Sequence, residues 1–552
     1  MENNKPFTFN ISLSVLNDLG RNLYRSFITV LGEAISNSWD ADAENVWIDF
    51  DRKNNSFVIK DDGDGMTRDD FQNKFLKIGY SKRKDGGKIS KKGRPYIGRK
   101  GIGKLALLSC ADKITVISKT KNTDYIGGTI DNSGLDKAIT EDLTPQQYEL
   151  KEYRPSIFKK YTENHTQGTI VYFDKIKSGV KHSLTFLKKY IALYFRFSLL
   201  DENFNIFVGK DLVTHKCLKD LASNTQFVWK INDITDPYIV YLQEKFALRE
   251  EKQLKVTRNI EGFIASVELP RHLKVITTDE KAGVDLFVNG RLRERDILKH
   301  IPTARVVESY LYGQIHFNDL DDDVDRFASS REGIVADDPK YKKLLDILRN
   351  EVISKILTDW DFWRRKHKYD GDPEDTSVPK KDRKAEELYN VVSGEYTLPK
   401  DSENRKMIDG WVNDLSGDAT FNFGSYAECF ISENLIRRYI QEKGIPLTPE
   451  AKEEAKKWIQ EEIRSKGAGN ISIDIRKTKT DLHYLSMAYL ANLKDKKDPA
   501  REACLARDAK EYKPMRDAIA HTALLTDAAK RKLTSVYENI KGRIRTLLSS
   551  ND

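Results

Sequence analysis

The chain has 552 residues, 39% hydrophobic and 32% charged, and its 93 basic and 85 acidic side chains leave a formal net charge of +8. That length predicts two to four domains with separate cores. The charge permits polyanion binding without demanding it, and no run approaches the ~20 apolar residues of a membrane-spanning helix, so no membrane partner is expected. The polar start Met1–Phe9 and four scattered cysteines, Cys110, Cys217, Cys429 and Cys504, predict a cytoplasmic protein without disulfides, cysteine-bound metal or signal peptide. Locally, the stretch Lys82 to Lys104 is basic and Gly-rich, whereas Asn318 to Asp325 is acidic.

In chain order, Leu13, Leu16, Leu19, Leu23, Phe27, Val30, Leu31, Ala34 and Ile35 recur at three- and four-residue steps and predict amphipathic helix. Glu33, Asn37 and Asp40 fall at i, i+4 and i+7, on a face of their own. Val46–Phe50 and Ser56–Lys60 read as strands around the turn Asp51-Arg52-Lys53-Asn54-Asn55. The second strand enters Asp61-Asp62-Gly63-Asp64-Gly65, which fixes one carboxylate at a strand end beside two glycines that admit a flat ligand. The later bidentate Glu of a calcium loop is not at its required position.

A polar segment from Ser81-Lys82 to Tyr96 leads to Gly98-Arg99-Lys100-Gly101-Ile102-Gly103-Lys104. Glycines among cations suit a backbone that wraps a polyphosphate. Leu105 stands where a P-loop needs Ser or Thr, and the preceding lysine-rich loop is not the buried strand of a dinucleotide fingerprint. Leu105–Leu108 predict the start of a helix aimed at an anion, and Lys113–Ser118 a strand.

With Gly168-Thr169 entering the strand Ile170–Phe173, these four ordered motifs resemble the GHKL ATPases: DNA gyrase, heat-shock chaperones, MutL and MORC proteins. The resemblance covers roughly Ser26 to Asp174. It implies an α+β (Bergerat) sandwich that binds ATP and Mg2+. Glu33 would be the general base, Asn37 the metal-binding amide, Asp61 the acceptor for the adenine amino group, and Thr169 its support. Gly63 and Gly65 would admit the base, Gly98, Gly101 and Gly103 would donate to phosphates, and Lys104 would add charge. Ser81 and Lys82 would contact the nucleotide and open a lid that closes over it, ending at Tyr96. The family pattern Asp-Ala-Gly-Ala reads Asp40-Ala41-Asp42-Ala43 here, and Asp40 is expected to serve structure.

Further on, Ser183–Phe197 predicts a helix, and Val284-Asp285-Leu286-Phe287-Val288-Asn289-Gly290-Arg291 a strand meeting a turn. This run, continuing to Asp296 and to Phe327-Ala328-Ser329-Ser330-Arg331-Glu332, resembles the α/β transducer domain of MutL and gyrase-type proteins. That resemblance makes Arg331 the cation that reaches the terminal phosphate. Tyr369–Arg383 reads as a linker. Helices Ala427–Lys443, Pro449–Ser465, Thr480–Leu493, Lys513–Leu525 and Asp527–Leu548 predict an all-α bundle at the C-terminus.

Within it, Arg516-Asp517-Ala518-Ile519-Ala520-His521 resembles the R-x-x-x-x-H motif of HEPN domains, many of them metal-independent ribonucleases. The same spacing at Arg295–His300, inside the transducer-like run, reads as structural. The HEPN resemblance implies that His521 acts on the ribose 2′-hydroxyl or the leaving oxygen, that Arg516 stabilises phosphorane charge, and that Asp517 orients one of them. The expected organisation is an ATP-binding domain over 1–178, a transducer-like domain over 179–366, a linker over 367–384 and a helical domain over 385–552. The expected activity is an ATP-gated ribonuclease working as a homodimer, with or without a second protein, in bacterial defence by analogy, and the expected nucleic-acid partner is RNA or else DNA. The alternative is an ATP-dependent nucleic-acid clamp with a non-catalytic helical dimerisation domain.

Overall fold

The computed structural model describes residues 12–18, 27–83, 87–98, 101–176, 183–195, 201–246, 248–278, 280–327, 333–395, 398–399, 401–493, 495 and 504–549. They fall into two compact units, Met1–Trp363 and Arg364–Asp552. No helix among the described residues is long and apolar enough to cross a membrane. Arg331 lies outside the described residues, as do 19–26 of the predicted first helix.

The first unit is built on two sheets. One contains β1 (Asn45–Asp51), β2 (Ser56–Asp61), β3 (Ala111–Lys119), β4 (Ile126–Asp131), β5 (Gly168–Ile176), β6 (Asn205–Val208) and β7 (Asp211–Leu212), in the order β4-β3-β5-β2-β1-β6-β7. Helix α1 (Phe27–Asp40) buries Phe27, Val30, Leu31, Ala34 and Ile35 against it. This apolar stripe leaves Glu33 and Asn37 on the helix's other side. Phe57 of β2 stacks on Phe173 of β5, ring centroids 4.0 Å apart, in the middle of that core.

The second sheet contains β8 (Thr225–Ile231), β9 (Glu250–Leu254), β10 (Glu261–Val267), β11 (Val284–Val288), β12 (Arg291–Glu294) and β13 (Leu311–His316), ordered β12-β11-β13-β10-β8-β9. Side chains such as Val228, Phe263 and Tyr312 share the core of the first sheet, while Trp229 and Ile264 pack with Trp360 and Trp363 on the other face. The Trp360 indole donates to Ser266 Oγ at 2.9 Å.

The expected boundary at residue 178 does not separate the two sheets. After it, helix α2 (Leu184–Tyr194) joins the first core, and β6 pairs in parallel with β1 through Asn45–Ile48. A parallel partner arriving about 150 residues later leaves no local pattern in the sequence.

The second unit is helical: α3 (Lys380–Gly394), α4 (Arg405–Glu442), α5 (Pro449–Ala468), α6 (Met487–Asn492), α7 (Leu505–Ala520) and α8 (Asp527–Ser549). Ile436 and Ile440 of α4, Ala455 of α5, Leu490 of α6, Tyr512 of α7 and Val536 and Ile540 of α8 meet in one core. Helix α4 starts far before the predicted Ala427 because its first five turns bury nothing, so they carry no apolar stripe to read. Helix α7 runs through Pro514 from Leu505 and ends at Ala520, where Thr522 turns left-handed (φ 59°). The expected linker is packed rather than free. Asp372 is fully buried, the Arg364 and Arg383 guanidinium groups donate to the carbonyls of Asp370 (2.8 Å) and Asp375 (3.1 Å), and α3 begins inside it.

Removing the central ring should cost the first unit most. Phe57→Ala is expected to lower its stability by about 3–5 kcal/mol in urea unfolding followed by circular dichroism, and a loss below about 1 kcal/mol would contradict the core described.

Candidate active site

Asp61 ends β2 almost completely buried, and three segments supply its donors. Oδ1 accepts from the backbone N–H groups of Gly63 (3.0 Å) and Thr169 (3.2 Å), and Oδ2 from Ser38 Oγ (3.0 Å). Burial pushes its pKa up to about 6 while these bonds pull it down, so the carboxylate is ionised above that pH. Its own carbonyl meets His165 Nε2 at 2.7 Å. A carbonyl can only accept, so Nε2 carries the proton and Nδ1 accepts from Tyr125 Oη at 2.7 Å. Burial lowers the His165 pKa, in keeping with a neutral ring. Thr169 Oγ1 lies 3.0 Å from Ser118 Oγ.

Asp40, the last residue of α1, holds the glycine stretch. Its carboxylate accepts from the N–H groups of Ile97 (2.7 Å) and Gly98 (2.8 Å), and Lys82 Nζ donates to its carbonyl at 2.7 Å. Burial raises the Asp40 pKa, against the pull of Lys82 and the two N–H groups. Two glycines are required by their surroundings. Gly65 (φ +69°) and Gly101 (φ +63°) are left-handed, and a Cβ on either would lie 1.9 Å from a carbonyl oxygen, of Lys119 and Tyr80 respectively. The predicted helix after Gly101 is a single tight 3-10 stretch, Gly103–Ser109.

These elements enclose a cavity of about 820 Å³. Glu33, Asn37, Asp61, Gly65, Lys82, Gly98, Gly101, Gly103, Lys104 and Thr169 all border it. Gly63 and Ser81, expected beside the ligand, do not: Gly63 donates to Asp61 from behind, and Ser81 is buried. Asn37 is exposed toward the cavity, and its amide has no hydrogen-bond partner among the described residues. Lys104 Nζ donates to the carbonyls of Lys74 (2.9 Å) and Lys77 (2.5 Å), and burial lowers its pKa to about 8.

One contact was not anticipated. Arg291, which opens β12 on the second sheet, borders the same cavity and places Nη2 2.8 Å from Glu33 Oε1. Both are largely buried. The Asn289-Gly290 turn before Arg291 was its only signal in the sequence. The basic and acidic clusters also meet: Arg83 pairs with Asp321 (2.6 Å) and Lys88 with Asp323 (2.6 Å). That basic stretch is therefore partly neutralised within its own unit.

Residues 24–164 match the family model of histidine kinase-, DNA gyrase B- and HSP90-like ATPases. This region is a GHKL-type ATPase domain. Over 368 residues, 65% of this chain and 57% of the relative, the sequence is 28% identical to a Herpetosiphon aurantiacus protein named "Putative type II restriction enzyme HgiDII". It is also 29% identical over 152 residues to the chaperone protein HtpG of Shouchella clausii, covering 23% of this chain and 24% of that one. With HtpG of Oceanobacillus iheyensis it shares 24% identity over 340 residues, 57% of this chain and 51% of the relative. The chain thus spans between about a quarter and somewhat over half of these relatives.

In the C-terminal unit, Arg516 Nε lies 3.1 Å from Glu433 Oε1 and Nη1 3.5 Å from Asp517 Oδ1. Tyr512 Oη donates to Glu433 at 3.2 Å. His521 caps the end of α7 and is exposed. The other copy of this spacing is engaged inside the first unit, Arg295 with Glu280 and Tyr194 and His300 with Glu294.

The Lys104 cation is present below pH ~8 and lost above it. A bound triphosphate would hold that proton on. ATP affinity is expected to fall by up to roughly tenfold per pH unit above ~8 in fluorescence titrations, and Lys104→Met should flatten the trend. Asp61→Asn replaces one of the two carboxylate acceptors with an NH2 donor, facing either Ser38 Oγ or the N–H groups of Gly63 and Thr169, and should weaken binding by about 100-fold; near-normal affinity would remove Asp61 from the adenine site.

Proposed function

We propose that this protein is an ATP-hydrolysing switch that governs an action on nucleic acid. The observation that carries this reading is the single cavity in which Glu33, Asn37, Asp61 and the Gly98–Lys104 stretch converge inside a GHKL-type domain. Its volume suits a nucleotide. Asp61 offers its remaining acceptor capacity to the adenine amino group, backed by Thr169. Gly98, Gly101 and Gly103 offer backbone N–H groups to phosphate oxygens, and Lys104 adds charge. The unengaged amide of Asn37 suits a Mg2+ ion, which when bound would neutralise phosphate charge. Glu33, one helical turn away, orients and deprotonates the attacking water once its carboxylate is turned from Arg291. Arg291 is then the cation of the second sheet nearest the reaction, with Arg331 the further candidate from the sequence.

For the action itself, the reading is a HEPN-like, metal-independent endoribonuclease in the C-terminal unit, with nucleotide-dependent closure of a homodimer bringing two copies of Arg516 and His521 together. It is supported by the exposure of both side chains at one end of α7 and by the Glu433 carboxylate that steadies Arg516. Asp517 flanks the same guanidinium. A defence role follows by analogy with such architectures. The second reading is an ATP-dependent clamp that binds nucleic acid without cutting it. The relative named a restriction enzyme favours a nucleic-acid partner under both readings.

Labelled RNA and DNA incubated with and without ATP separate them. Glu33→Ala is expected to keep ATP binding while losing at least ~100-fold in hydrolysis, the scale of a removed general base. His521→Ala should abolish RNA cleavage and spare ATP hydrolysis. RNA cleavage unchanged in His521→Ala rules out the ribonuclease site, and ATP-sensitive binding of intact nucleic acid by the wild type supports the clamp.

A further inference from the structure

Of 27 large apolar side chains that stand strongly exposed among the described residues, 17 belong to Arg364–Asp552, about a third of the chain. Seven of them lie on one structure, the hairpin formed by α3 and the first half of α4. The hairpin is antiparallel, since Lys381 pairs with Glu428 at one end (2.7 Å) and Tyr389 Oη donates to the Val412 carbonyl nearer the other. Ala385 and Tyr389 face α4, and Val412 faces α3.

Relative to that contact, Leu388, Val391 and Val392 on α3 and Met407, Ile408, Trp411 and Leu415 on α4 spread over roughly 40–140° round the helix in the same sense, each set centred about 90° away at ~100° per residue. In an antiparallel pair the same sense of rotation brings both sets to one face of the hairpin. That face is exposed, Val391 at 62% and Trp411 at 59%. No residue of α4 before Ser425 is buried, and α4 reaches the bundle core and the turn after α7 only at Phe421 and Asn422, so among the described residues the arm before them rests mainly on its own two helices. Two helices alone make a marginal structure, and four make a core.

We infer that this face docks on the same face of a second copy of the chain, forming a four-helix bundle that holds the protein as a dimer. The seven side chains expose on the order of 700 Å², against ~800 Å² per partner in a standard interface. The charges at its ends are self-complementary. A two-fold axis crossing the hairpin between Leu388 and Val392 lays the two α3 helices antiparallel, so that Lys384 of each copy meets Glu395 of the other. This interface uses no residue of the ATP cavity. It exists without nucleotide and gives the proposed closure a permanent tether.

The test is the mass of the full-length chain by sedimentation velocity without nucleotide, from about 1 to 100 µM, where interfaces of this size associate. The wild type should be dimeric. Val391→Glu with Trp411→Glu should be monomeric with unchanged far-UV circular dichroism. Lys384→Glu should weaken the dimer at least tenfold, and adding Glu395→Lys should restore it. A monomeric wild type at ~100 µM assigns the face to another protein and overturns the inference. So does a double-glutamate variant that dimerises as tightly as the wild type, and so does failure of the charge swap to recover affinity. ATP hydrolysis, measured separately, stands or falls on its own.

Discussion

A carboxylate taken out of water costs several kcal/mol unless its oxygens find donors, and Asp61 finds them on three separate segments. Ser38 comes from α1, Gly63 from the turn after β2, and Thr169 from the start of β5. Meeting that demand fixes the helix over the sheet, closes the turn and sets the level of β5 against β2. Asp40 repeats the solution at the other wall, where its two oxygens fasten Ile97 and Gly98. The cavity is the space left between two satisfied carboxylates on or beside one helix.

Much of this was legible because the constraints are local. A helix period separates Glu33 and Asn37 from the apolar stripe of α1, and left-handed backbone at Gly65 and Gly101 excludes most other residues. The Asp61 turn and the glycine stretch are written in residue types that few other structures require. What stayed hidden depends on distant pairing. Arg291 reaches Glu33 across more than 250 positions, and nothing around an Asn-Gly-Arg turn distinguishes an arginine aimed at a cavity from one in water. The joining of β6 to β1, which carries the first sheet past residue 178, is hidden for the same reason. The first half of α4 eluded the pattern because it contributes no buried side chain, while Ser81 was placed beside the ligand by family position although its own side chain is packed away.

Charge teaches a related lesson. The basic stretch before the glycines looked like a surface for polyanions, and the acidic run after Asn318 had no evident purpose. In the folded chain Arg83 and Lys88 meet Asp321 and Asp323. A buried pair such as Arg83 and Asp321 sets the position of one sheet's loop against the other's more than it stabilises the fold. A surface for nucleic acid would then have to be sought elsewhere than in this stretch.

The pairing of Arg291 with Glu33 has a thermodynamic consequence. One partner sits on the second sheet and the other on the helix that lines the nucleotide cavity, so their contact makes the placement of that sheet and the occupancy of the cavity two readings of one equilibrium. Linkage is reciprocal. A ligand that draws the guanidinium from the carboxylate spends part of its binding energy on moving the sheet, and a macromolecule that shifts the sheet must change the affinity for that ligand by the same factor, with no contact between the two.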